Sequence, residues 1–350
     1  MDSLFTLHGH DAAVHVLESA LRDGRLHHAH LITGPGRVGK RTLALQLAQA
    51  ATCAESDEGC RDRVASGRHP DVRMLSVDSE AAEGPRTLIG IEAIRDVISS
   101  AHLQPYEGRM RVFIIDGADR MSTDAANALL KVLEEPPAGV LLLLLSDNPE
   151  GVLPTVRSRC QSMELRPLPV EQVAALLRDE YQVSGEQAQV LARLSRGCIG
   201  WAIEAARDPS PMAAVHQQVE RIVDTISGGL EERFAYAEGL ARRFQRDRAA
   251  GREELFLWMR WLRDVLLVQQ GCSDGIVNIS WRETIGNHAQ AMTPAQTVRW
   301  IHQTTETVEA LDRNANARLA LEALMLNAPE IRVSTEGIPA SAGRTDTPPG

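Results

Sequence analysis

Over the first half of the chain, apolar residues gather into short runs separated by helical stretches. Runs at His28–Thr33, Val72–Ser76, Arg111–Ile115, Val140–Leu145 and Ser162–Leu165 read as buried strands, because each is short, apolar and bounded by polar turns. Residues 11–24 put Ala12, Val14, Val16, Leu17, Ala20 and Leu21 largely on one helical face. A second clear helix, capped by Ser122 or Thr123, carries Ala125, Ala126, Leu129, Leu130 and Leu133 and stops at Pro136 and Pro137. Strands alternating with helices predict an α/β fold, a parallel sheet with helices on both faces.

From Pro167 the strand pattern ceases. Residues 170–180, 185–194 and 199–206 read as a small helical bundle, and Asp208-Pro-Ser-Pro211 reads as a linker. Long helical patterns then run through 212–245, 252–270, 294–311 and 315–327, with no internal repeat. The Ser-, Thr-, Gly- and Pro-rich tail after Val333 is expected to be disordered.

Composition narrows the function classes. With 350 residues, 43% hydrophobic and 24% charged, the chain is an ordinary globular protein with room for more than one domain. A net charge of −10 argues against strong autonomous nucleic-acid binding, which needs clustered Lys and Arg. No run of 18 apolar residues occurs, and Met1–Leu7 lack the basic and apolar regions of a signal peptide; a cytoplasmic location is expected. The five cysteines, scattered through a long chain, fit reduced thiols.

The candidate chemistry begins at Gly34-Pro-Gly-Arg-Val-Gly-Lys40-Arg41, a phosphate-binding loop of the form GxxxxGK between an apolar strand and an Ala/Leu-rich helix. Gly34, Gly36 and Gly39 let backbone N–H groups face a phosphate at the helix N-terminus, and Lys40 would reach its outer oxygens. The residue after the lysine normally supplies a hydroxyl to Mg²⁺, but here it is Arg41. Thr42 cannot replace it, since one helical step turns a side chain by about 100°. Val112-Phe-Ile-Ile-Asp116 is a strand ending in a carboxylate suited to holding Mg²⁺, usually through water. The next residue is Gly117, where hydrolysing members of such folds commonly carry a glutamate base. Asp119 is expected to face solvent or cap the following helix.

A third segment, Leu153-Pro-Thr-Val-Arg157-Ser158-Arg159-Cys160, follows the apolar strand Val140–Leu145. An arginine there can project from the surface, either as a solvated or ion-paired group or as a finger completing a neighbour's phosphoryl-transfer site. His27, His28 and His30 straddle a strand start and read as core or strand-edge residues. Trp258 and Trp261, at helical spacing, read as packing or subunit-interface residues.

These motifs together resemble the delta-prime subunits of the bacterial DNA polymerase III clamp loader, a branch of the AAA+ family. The resemblance rests on His28–Lys40, Gly67-Arg-His-Pro-Asp71, Ile91–Arg95, Ile115–Met121, Ala126–Pro137, Leu153–Cys160 and Asn314–Leu319. It implies an AAA+ nucleotide-binding core over residues 1–166, a helical lid over 167–208, an all-α oligomerisation collar over 209–332 and a disordered tail over 333–350. It further implies a stator that donates Arg159 as an arginine finger in trans to ATP on an adjacent gamma or tau subunit. Its partners would be gamma or tau and delta, with the sliding clamp and primer–template DNA reached through the complex.

ATP or ADP is expected to bind weakly or not at all at Gly34, Gly36, Gly39, Lys40, Arg41 and Asp116, with Mg²⁺ uncertain. The hydrolysing members carry an arginine in the lid where this chain has Gly200 or Trp201, so little ATP turnover and no polymerase activity are expected. The alternatives are an autonomous AAA+ ATPase or an inactive AAA+ scaffold of another complex. Relatives often carry a four-cysteine zinc module after the P-loop helix. Here Cys53 and Cys60 are a degenerate remnant, too few for a tetrahedral site, so zinc is not expected. His69 could supply a further ligand but more simply serves the turn into the strand at Val72. Cys198 and Cys272 read as small apolar residues, and Cys160 as packed and unreactive.

Overall fold

The computed structural model describes residues 5–54, 56–77 and 88–329; the tail expected to be disordered lies outside them. The chain divides into two compact units, residues 1–208 and 209–350.

The first unit is built on five parallel strands, β1 (Ala29–Thr33), β2 (Val72–Ser76), β3 (Arg111–Asp116), β4 (Val140–Ser146) and β5 (Gln161–Glu164), in the order β2-β3-β4-β1-β5. The β4 sequence Val-Leu-Leu-Leu-Leu-Leu-Ser is buried throughout, as a central strand covered on both faces requires. Because successive side chains face opposite sides, Phe113, Ile115, Leu142 and Leu144 enter one core with α4 (Ile91–Ala101) and α5 (Thr123–Glu134). Val112, Ile114, Leu141 and Leu143 enter the other, with α1 (Asp11–Arg22), α2 (Lys40–Thr52) and α3 (Glu58–Ala65). This is the doubly wound sheet expected from the alternating pattern.

Parallel register brings the strand ends together: Ser76 pairs with Asp116, Asp116 with Leu145, and Thr33 with Ser146. The P-loop, the β3 carboxylate and the β4 turn therefore share one carboxyl edge, where open α/β sheets bind ligands. After β4, the short helix α6 (Pro154–Arg157) leads to β5. Helices α7 (Val170–Asp179), α8 (Gly185–Ser195) and α9 (Ile199–Arg207) complete the unit.

The second unit is helical: α10 (Ser210–Ser227), α11 (Leu230–Arg246), α12 (Arg248–Gln269), α13 (Arg282–Ala291), α14 (Pro294–Asp312) and α15 (Ala317–Leu326). The pattern expected to run through 212–245 is two helices, broken at Gly228 and Gly229. A Cβ on Gly228 would stand 2.9 Å from the Glu232 side chain, and Gly229 is the N-cap of α11. Trp258, Trp261 and Trp300 are fully buried in one core. The Trp258 indole donates to Tyr236 Oη at 2.7 Å and that of Trp261 to His288 Nδ1 at 3.1 Å. Among the described residues, no helix is long and apolar enough to cross a membrane.

Candidate nucleotide site and surface arginine

The P-loop has the backbone its glycines demand. Gly34 adopts φ +143°, and a Cβ there would stand 2.2 Å from the Leu165 carbonyl oxygen; Gly39, at φ +119°, caps α2. Lys40 opens α2 and is buried. Its Nζ donates to the carbonyls of Gly34 (2.6 Å) and Pro35 (2.8 Å) and lies 2.6 Å from Asp147 Oδ1. An ammonium has three donors, and all three are used within the chain.

Asp147 follows β4, in the turn that ends that strand. Its second oxygen, Oδ2, would lie 3.4 Å from a Cβ on Gly36, so the carboxylate covers the mouth of the loop. The sequence contains its polar turn but not the strand order that sets β4 beside β1. A polar residue just past a buried strand was the available signal.

Across this edge, Arg41, Ser76, Asp116, Asp119, Arg120 and Asp147 line a cavity of about 180 Å³. Burial raises the Asp116 carboxyl above its ordinary range, Asp147 adds to the rise, and Arg41 is the strongest of the cations opposing it. Arg41 thus supplies positive charge to the carboxylate expected to hold Mg²⁺. Gly117 is more than a missing glutamate: at φ +99° it is left-handed and donates to the Leu145 carbonyl, a conformation that disfavours any side chain. Asp119 neither caps α5, whose cap is Ser122, nor faces solvent alone. It accepts from Ser146 Oγ at 2.7 Å.

Helix α9 meets the P-loop directly. The Gly200 N–H donates to the Arg37 carbonyl at 2.9 Å, and a Cβ on Gly200 would stand 2.8 Å from that oxygen. Arg37 is itself left-handed (φ +62°) and pairs with Glu204 at 2.6 Å. Gly200, one of the two positions at which the resemblance would place a lid arginine, is thus pressed against the phosphate loop.

Arg159 lies away from this pocket, between α6 and β5. Val156 is fully buried before it and Cys160 packs on the same core after it; burial pushes the Cys160 thiol up to about 12, which makes it a poor nucleophile. The guanidinium remains partly exposed. Nη2 lies 2.6 Å from Glu134 Oε1, and Nη1 donates to Thr155 O at 2.9 Å and Ser158 Oγ at 3.3 Å.

Two cysteine expectations are corrected. Cys53 and Cys60 are joined in a disulfide, so the chain does not hold reduced thiols throughout. Cys272 is exposed, not packed, while Cys198 is buried as expected. Ligand atoms of Cys53, Cys60 and His69 lie within 4.8 Å of one another. Bonded sulfurs offer no thiolate, and even reduced these three groups would leave the fourth position of a tetrahedral zinc unfilled by any described residue. His69 does serve the expected turn, accepting the Asp71 N–H. Asp71 in turn accepts the N–H groups of Tyr106, Glu107 and Gly108. Of His27, His28 and His30, His30 is buried within β1 and His28, just before that strand, reaches the Leu133 carbonyl, as core and strand-edge residues respectively.

Residues 9–169 match the family described as DNA polymerase III, delta subunit, and residues 239–329 match the family of its C-terminal region. The chain is 28% identical over 317 residues to DNA polymerase III subunit delta' of Bacillus subtilis, covering 89% of this chain and 93% of that protein. It is 38% identical over 190 residues to subunit delta' of Pseudomonas aeruginosa, covering 50% and 55%. The tau subunit of Escherichia coli is 32% identical over 204 residues, which cover 55% of this chain and 30% of tau. With delta-subunit families matching at both ends and a relative matched over nearly its full length, the chain is similar over most of its length to the delta' subunits of bacterial DNA polymerase III.

Proposed function

We propose that this chain is a stator of the DNA polymerase III clamp loader that donates Arg159 as an arginine finger to ATP on an adjacent gamma or tau subunit, and turns over little or no ATP itself. The observation that carries this reading is a contrast between two cations. Lys40 has its donors consumed by Gly34, Pro35 and Asp147, whereas Arg159 stands at the surface on a turn anchored by buried Val156. A partly exposed guanidinium held in place can stabilise charge on a phosphoryl group held by another chain.

Residues 1–166 would serve as the core, 167–208 as the lid and 209–332 as the collar joining this chain to gamma or tau and delta in a cytoplasmic complex. With a net charge of −10, contact with primer–template DNA, like contact with the sliding clamp, comes through that complex. Nucleotide at Gly34, Gly36, Gly39, Lys40, Arg41 and Asp116 would bind weakly, because Asp147 must first release Lys40. Mg²⁺ would meet Arg41 at Asp116, and zinc has no part in the reading.

The test is steady-state ATP hydrolysis by the purified chain and by its Lys40→Ala variant. Both should sit at background. A rate that disappears with Lys40→Ala would favour an autonomous ATPase instead.

A further inference from the structure

Glu134 is a carboxylate in a position its own helix does not favour. It is the last residue of α5, at the negative end of the helix dipole, where cations are preferred. Its side chain is half exposed, so burial does not explain it either. Among the described residues its ion partner is Arg159, at 2.6 Å.

The end of α5 that carries Glu134 is rigid. Val132 and Leu133 are buried, His28 Nε2 donates to the Leu133 carbonyl at 3.0 Å, and Pro136 and Pro137 prevent the helix from continuing. The guanidinium is therefore gripped from two fixed elements: Glu134 of α5 holds Nη2, and Thr155 of α6 holds Nη1 through its carbonyl. Nε donates to no described residue and is left for an incoming anion.

We propose that Glu134 is a positioning residue for Arg159: it preorients the guanidinium so that its free donors face a phosphate on the neighbouring subunit. This rests on the trans-arginine reading above. An exposed ion pair adds little to stability. Its value here is that a long, flexible side chain is ordered before the partner site closes on it, which lowers the entropy lost on engagement.

The test uses the complex reconstituted with gamma or tau and delta, and follows single-turnover, clamp- and DNA-stimulated ATP hydrolysis. Glu134→Ala should lower the maximal rate by about two- to fivefold, with the ATP concentration at half-maximal rate and complex assembly unchanged. Glu134→Gln, which keeps an oxygen acceptor for Nη2, should recover most of the loss. Glu134→Ala should add nothing in an Arg159→Ala background, since coupled residues are non-additive.

If Arg159→Ala lowers the rate while Glu134→Ala leaves it unchanged or raises it, the positioning role is wrong and the finger stands. An equal loss from Glu134→Ala with and without Arg159 would also overturn it, as a purely structural effect. If Arg159→Ala changes nothing, the trans-arginine reading itself falls.

Discussion

Lys40 Nζ lies 2.6 Å from Asp147 Oδ1, so the lysine that would greet a phosphate already holds an internal anion. The pairing joins residues far apart in sequence but adjacent in the sheet, because β4 lies next to β1. A nucleotide bound at this loop would have to displace Asp147 before Lys40 could reach it.

Asp147→Asn should therefore tighten binding of a fluorescent ATP analogue. The competing ion pair is worth on the order of 1 kcal/mol, so the gain is up to about fivefold in Kd. Equal affinities in titrations of the two proteins would mean that Asp147 does not guard the loop.

Gly200→Ala should destabilise the first unit. Its Cβ would stand 2.8 Å from the Arg37 carbonyl oxygen, and such overpacking costs about 1–3 kcal/mol, or a few degrees in Tm. Gly239, in α11, has open space around a Cβ. There alanine should stabilise by roughly 0.5–1 kcal/mol. Calorimetry that gives both substitutions the same sign would contradict the contact between α9 and the P-loop.

How far these contacts could be read in advance depended on their range. The strand runs were visible because buried parallel strands are continuously apolar, as in Val140–Leu145. The P-loop, Asp116 and Arg159 segments carry local spacing, so they too could be located. The Lys40–Asp147 and Gly200–Arg37 contacts could not, since they depend on strand order and on where α9 lands. Asp119 differs from its expected role for the same reason: its partner, Ser146, comes from β4. The break between α10 and α11 was hidden because Gly228 and Gly229 sit inside an otherwise continuous helical pattern. The Cys53–Cys60 bond is not legible in the sequence, because scattered cysteines in a long chain argue for free thiols.

Acid should weaken both units. Burial depresses His30 and His288 from 6.5 to about 4, and His288 Nδ1 must be unprotonated to accept the Trp261 N–H. Between those values the unfolded chain binds more protons than the native one, so stability is retained above about pH 6.5 and falls as pH drops toward 4. Urea midpoints should decline from pH 7 to pH 5, and His288→Gln, which keeps an acceptor without the titration, should flatten the decline for the second unit. A pH-independent midpoint in the parent protein would contradict the assignment.

The disulfide can be counted. Of five cysteines, three are free. Thiol titration of the denatured chain should give about three equivalents before reduction and five after. Five before reduction would show that Cys53 and Cys60 are thiols.

In the proposed function Arg159 acts on a neighbour's ATP while Lys40 does not act on ATP of its own. The most direct measurement is single-turnover ATP hydrolysis at the gamma or tau site facing this chain, in the reconstituted complex, with Arg159→Ala compared against Lys40→Ala. The account predicts a loss on the order of 10³-fold at that site for Arg159→Ala and no change for Lys40→Ala. An unchanged rate with Arg159→Ala, or a loss with Lys40→Ala, would contradict it.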